Sequence, residues 1–202
     1  MKETKVQFST AEMDLMGNSE VILTKNKVVQ KVKTLLEELQ DEMFEHSENH
    51  PELYPEDFFS ITPKISKGEN YLGLPYLILD YPRLFKQQDI FAIRTMFWWG
   101  NFFSTTLHLS GKFKIEYLSR IKASFNLFAN EQYFIGVNTN PWLHHFGPDN
   151  YKEIALIKRD LFESECNRAQ HLKIAKKTSL NDVCLQQKLF ENWNELTKTC
   201  FV

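Results

Sequence analysis

Two histidine pairs carry the side chains best able to do chemistry in this sequence. His144 and His145 stand together in the run Pro141-Trp142-Leu143-His144-His145-Phe146. Neighbouring imidazoles on a loop can supply a metal ligand or a general base near neutral pH. Adjacent residues in an extended loop seldom aim at one metal. The run therefore also reads as two plugs, Trp142 and Phe146, with the histidines bonded to backbone or water. Glu42, His46 and His50 form the second group. At i, i+4, i+8 they share a face if the helix continues, and HxxxH is a spacing used by helical metal sites. The glutamate that zinc hydrolases place directly after the first histidine is replaced here by Ser47. Pro51 also stops the helix close to His50.

Other catalytic signatures are absent. There is no GxSxG nucleophile elbow, no GxGxxG or GxxxxGK[ST] phosphate loop, and no spaced Asp/Asn calcium loop. Cys166, Cys184 and Cys200 show neither CxxC spacing nor an even count, so reduced thiols in a cytoplasmic setting are expected. No metal and no cofactor are expected.

The stretch organising the chain is Phe91 to Leu109, FAIRTMFWWGNFFSTTLHL, with six aromatic rings in nineteen residues. A two-residue turn at Gly100-Asn101 is predicted, because such turns need the positive φ that Gly and Asn tolerate. It sets Trp99 opposite Phe102 and Trp98 opposite Phe103. One face then carries Phe91, Ile93, Phe97, Trp99, Phe102 and His108; the other carries Ala92, Met96, Trp98, Phe103, Leu107 and Leu109. Apolarity on both faces predicts a central hairpin covered on each side, or one side open to a partner. Arg94 is the one charge in the stretch, and needs a carboxylate or an outward position. Trp98, Trp99 and Phe103, with Trp142, His144 and His145, are the expected ligand-binding residues.

Stepping outward, an amphipathic helix is predicted from about Asn26, with Val28, Val32, Leu35, Leu39 and Met43 at helical spacing. Ser9 to Glu12 has the pattern of a helix cap ahead of Gly17-Asn18. Strands are predicted over Phe58 to Ile65 and Tyr71 to Leu79, with the turn between them at Lys67 to Asn70. Phe113, Tyr117, Ile121, Phe125 and Phe128 mark a second helix, and Gln132 to Val137 a further strand. A helix capped by Asp149 or Asn150 is predicted to carry Ile154, Ile157 and Leu161. His171 to Thr178 reads as a lysine-protected edge strand, or with Lys173, Lys176 and Lys177 as a small anion patch. Ser179 with Asp182 opens the last helix.

At 202 residues, with 43% apolar and 25% charged residues, one α+β domain over residues 1–202 is expected. It would hold a mainly antiparallel sheet of five to six strands with a central aromatic hairpin, packed by three or four amphipathic helices. Residues 1–20 are expected to be a loosely ordered arm. A net charge of -2 disfavours nucleic acid, and no apolar run approaches the ~20 residues of a membrane span. The charges are nonetheless segregated: Lys25 to Lys33 is basic, and Glu37 to Asp57 holds nine acids with no Lys or Arg. The expected function is non-catalytic: binding of a small apolar or aromatic ligand, or of a second copy as a homodimer, through the aromatic hairpin. The alternative is a metal-dependent enzyme of hydrolase type using two or three of His46, His50, His144 and His145.

Overall fold

A computed structural model describes residues 6–55 and 61–202. The apolar stripe of the first long helix buries the expected Val32, Leu39 and Met43, while Val28 and Leu35 are half-covered and Val29 and Leu36 take the inner positions. Val29, Val32, Leu36, Leu39 and Met43 are buried along one side of α2 (Ser19–Asn49). The helix begins roughly two turns before Asn26, because the Asn18 side chain accepts the Glu20 N–H at 3.1 Å and caps it there. Ahead of it, Ser9 and Glu12 close a capping box on α1 (Thr10–Gly17), so the chain is helical over these residues. No residue of α1 is buried.

Seven antiparallel strands form one sheet in the order β1-β2-β3-β4-β7-β5-β6, one more than the upper expectation. They are β1 (Lys64–Tyr71), β2 (Leu74–Lys86), β3 (Asp89–Trp98), β4 (Phe102–Ser110), β5 (Phe134–Gly136), β6 (Tyr151–Glu153) and β7 (His171–Thr178). Three more helices follow β4 before the last: α3 (Gly111–Ala123), α4 (Phe125–Asn130) and α5 (Arg159–Arg168). With α6 (Leu185–Phe201) the described residues hold six helices, not three or four. The expected start of the first strand, Phe58 to Ser60, lies outside the described residues, as do Glu56 and Asp57 of the acidic run.

Four local expectations are corrected. The β1–β2 turn falls at Leu72-Gly73, both at positive φ, and Lys67 to Asn70 is strand. Asp80-Tyr81-Pro82 does not end β2; the strand passes through with a register shift before Arg83. Asn150 caps no helix, because Tyr151 to Glu153 pairs with β5 and α5 starts only at Arg159. The last helix starts at Leu185, with Asp182 accepting the Cys184 N–H ahead of it.

The β3–β4 register matters most. Trp98 pairs with Phe102, and Phe97 with Phe103. The turn holds three residues, Trp99-Gly100-Asn101, closed by the Asn101 N–H on the Trp98 carbonyl at 3.0 Å. A one-residue slip exchanges the two faces of a strand. So Phe103, Leu107 and Leu109 join Phe91, Ile93 and Phe97 on one face, while Phe102 and His108 join Ala92, Arg94, Met96 and Trp98 on the other. The first face carries the main core and receives α2, α3, α5 and α6. We call it the helical face. The opposite, loop face is covered in part by residues 137–150 and holds a small apolar cluster of Ile78, Met96 and Trp98.

Strand β7 is interior, not an edge. It lies between β4 and β5. Leu172 and Ile174 face the helices, and Lys173 faces the loop side at 2% exposure. Of the other two lysines, Lys176 meets Glu131 at 3.1 Å and Lys177 sits over the Phe134 and Phe146 rings.

Candidate functional site

The loop face buries an unusual amount of polar chemistry for the inside of a sheet. Strand alternation puts Asp80 of β2 and Arg94 of β3 on it as a cross-strand pair. The pair is bidentate: Arg94 Nε donates to Asp80 Oδ1 at 2.8 Å, and Nη2 to Oδ2 at 2.9 Å. This is the carboxylate that Arg94 requires. Arg94 Nη1 also lies 3.0 Å from His144 Nε2. A guanidinium can only donate, so that imidazole nitrogen accepts and the ring is neutral. Burial, then the Arg94 and Lys173 charges, hold His144 well below the ordinary histidine range.

Lys173 follows on β7. Its ammonium donates to the Leu143 carbonyl and lies 4.9 Å from the Tyr151 ring centroid. The lysine is inserted where Gly136 leaves room: a Cβ on Gly136 would stand 3.0 Å from Lys173 Cβ. Burial, then Arg94, pushes the Lys173 ammonium down to about 7. Among the described residues no carboxylate bonds it.

His108 of β4 lies beside Lys173 in the sheet. Its ring meets Trp142 at 5.6 Å and His171 at 5.9 Å, edge-on to both. The side chain is 6% exposed, and among the described residues its Nε2 has no hydrogen-bond partner. Desolvation and the charge of Lys173 take His108 down to about 3, and His171 to about 4.

His108 and His171 border a cavity of about 740 Å³ at the end of the sheet, where the helical and loop covers meet. Ser110 closes the strand side, Lys114 and Leu118 the α3 side, and Thr139 the loop side. Lys114 is 8% exposed, and its ammonium donates to the Ala169 carbonyl. Burial lowers its proton affinity too. No aspartate or glutamate lines the cavity among the described residues. Asp89, the nearest in sequence, accepts the Lys112 N–H at 2.8 Å and caps α3 instead. The Ser110 hydroxyl is engaged on both sides, accepting from the Ile90 N–H and donating to the Gln88 carbonyl.

The six residues expected to bind ligand are divided. Trp98, His144 and His145 meet around Tyr71. Its hydroxyl accepts the His144 N–H at 2.6 Å and the His145 N–H at 3.0 Å, while its carbonyl accepts from Trp98 Nε1 at 3.2 Å. His145 Nε2 reaches Asp149 at 3.1 Å. Trp142 is half exposed over His108. Trp99 sits in the hairpin turn, and Phe103 is buried on the helical face. His46 and His50 pack against each other near Phe190 and Trp193 on the helical side. They do not meet His144 and His145. Among the described residues no group of three or more His, Cys, Asp or Glu is placed to hold a metal.

His108, Lys114 and Asp80 are site residues that the sequence pattern does not mark, and His108 lies on the opposite face from the one a two-residue turn predicts. The available signal was a histidine and an arginine within one largely apolar hairpin; that they share a face follows only from the observed register.

No protein-family model matches the chain, and neither a curated protein nor a solved structure matches it. The chemistry of the site therefore stands on its geometry. No helix among the described residues is long and apolar enough to cross a membrane.

Proposed function

We propose that this chain is a non-catalytic binding protein for a small molecule with an apolar body and an anionic end, held in the cavity bounded by His108, Ser110, Lys114, Leu118 and His171. The observation that carries the reading is the charge imbalance. Lys114 and Lys173 are buried cations bonded to backbone carbonyls, while Asp80 is committed to the half-buried Arg94. A buried charge without a counter-charge is costly. A carboxylate or phosphate entering beside Lys114 offsets that cost, and the free Nε2 of His108 gives it a second polar contact. Ile90, Ile115 and Leu118 suit an aliphatic or aromatic body. Binding rather than catalysis fits the nucleophiles nearby. Ser110 is fully hydrogen-bonded, and burial pushes the Cys166 thiol up to about 12. The free thiols at Cys166, Cys184 and Cys200 suit a reducing, cytoplasmic setting.

Thermal melts with decanoate and 1-naphthoate, and with the matching alcohols, test this. Saturating carboxylate is expected to raise the Tm by about 5–10 °C, the alcohols by much less. Trp142 emission should change with carboxylate and be silent in Trp142→Phe. Lys114→Met should melt at or above the parent temperature without ligand and lose the carboxylate response. Equal shifts from acid and alcohol, or a full response in Lys114→Met, would refute the reading.

A further inference from the structure

We infer that two copies of the chain associate through α2, paired antiparallel about a two-fold axis at Thr34, with the α1 arms completing the contact. The inference is independent of the cavity.

The inner side of α2 is spent on the core through Val29, Val32, Leu36, Leu39 and Met43. Its outer side carries a second, largely exposed stripe. Leu23, Lys27, Thr34, Asp41 and Phe44, with Gln30 and Glu37 between them, recur at alternating spacings of four and three. That is the period of a helix seam that meets another helix. All but the half-covered Glu37 are exposed, Leu23 at 55% and Phe44 at 40%.

The stripe is complementary to itself when reversed. A two-fold axis at Thr34 brings residue i of one copy against residue 68 minus i of the other, so Lys27 meets the second copy's Asp41, and Leu23 arrives beside its Phe44. Neither Lys27 nor Asp41 has an ion pair within the chain among the described residues. Across the whole helix, Lys25 to Lys33 precede an unbroken acidic half from Glu37 to Glu48. In an antiparallel pair each basic half lies on an acidic one; in a parallel pair like faces like. An isologous contact of this kind satisfies both stripes at once.

The arm supplies apolar surface that the charged middle lacks. Phe8, Met13, Leu15, Met16 and Ile22 are each more than half exposed, and nothing in α1 is buried. Exposed apolar side chains concentrated in one segment suit a contact surface. It lies beyond Leu23, so in the pair it reaches past the partner's Phe44.

Sedimentation or light scattering on the full chain at high micromolar concentration is expected to give twice the 23.9 kDa mass. Leu23→Asp should weaken association by about a hundredfold, since the lost apolar contact occurs twice. Lys27→Glu and Asp41→Lys should each weaken it by roughly tenfold, and the double variant Lys27→Glu/Asp41→Lys should restore it. Unchanged far-ultraviolet circular dichroism separates these losses from unfolding. In a Cys184→Ser background, Thr34→Cys should form a disulfide-linked dimer under mild oxidation. A monomer under all conditions would overturn the inference. So would a dimer indifferent to the Lys27 and Asp41 exchange, which would place the contact on another surface.

Discussion

Lys173 and Arg94 are the two cations around which the buried histidines lose their protons. His144 and His108 feel both and His171 feels Lys173, and burial is the first cause of each depression. The consequence for stability has a definite sign. Unfolded, each histidine takes up a proton near pH 6.5; folded, His108 does so only near about 3 and His171 near about 4, and burial holds His144 well below the ordinary range as well. Between those values the unfolded state binds more protons, so stability falls as pH falls. Three such groups give a slope of about 4 kcal/mol per pH unit at most. Urea unfolding from pH 7 to pH 4 should show that decline in addition to any carboxylate effect, and His108→Phe should reduce the slope by about a third. At this scale the sequence was legible where one charge demanded another: Arg94 in an apolar strand implied a carboxylate, and Asp80 is that group. It was not legible that Lys173 is buried. A lysine alternating with apolar residues looks solvated until the strand beyond it, here β5 with Gly136, is known to pass over it.

The β3–β4 hairpin shows how one residue of turn length changes what an element presents. A two-residue turn was read from Gly100-Asn101, and the chain uses three. Gly100 takes φ 71° in that turn, a conformation that costs other L-residues roughly 1 kcal/mol. Gly100→Ala should lower the unfolding free energy by about that amount in denaturant titration, with no change in the spectrum of the folded state. The strand faces could not be assigned from pattern alone, because both arms are apolar throughout and either register buries a full face. The same ambiguity moved the β1–β2 turn, where Leu72 accepts φ 51° without being a turn-forming residue. The amphipathic helices were more readable: α2, α3 and α6 each bury one clear stripe. What the stripe could not give was where α2 begins, since Ser19 to Thr24 is exposed on all sides.

The molecule has one sheet and two unlike covers, the helices α2, α3, α5 and α6 on one side and irregular chain on the other. The α+β class and antiparallel sheet were visible in the sequence. The unequal covering was not, because it depends on which turns close. Loop 137–150 is tied down by a handful of polar contacts, chiefly the Tyr71 hydroxyl and the Lys173 ammonium. Amide hydrogen exchange should therefore separate the two sides: His144 and His145 should exchange well before Ile93 and Leu107, which should open only with the whole domain. Strand β7 has a further consequence, in time. It joins β4 on one side and β5 on the other, yet it is made after both. On a ribosome adding about 5–20 residues per second, β4 waits roughly 3–14 s for Thr178 to follow Ser110. Through that interval the most aromatic hairpin of the chain has a bare edge, so the nascent chain needs that edge shielded until Thr178 has been added.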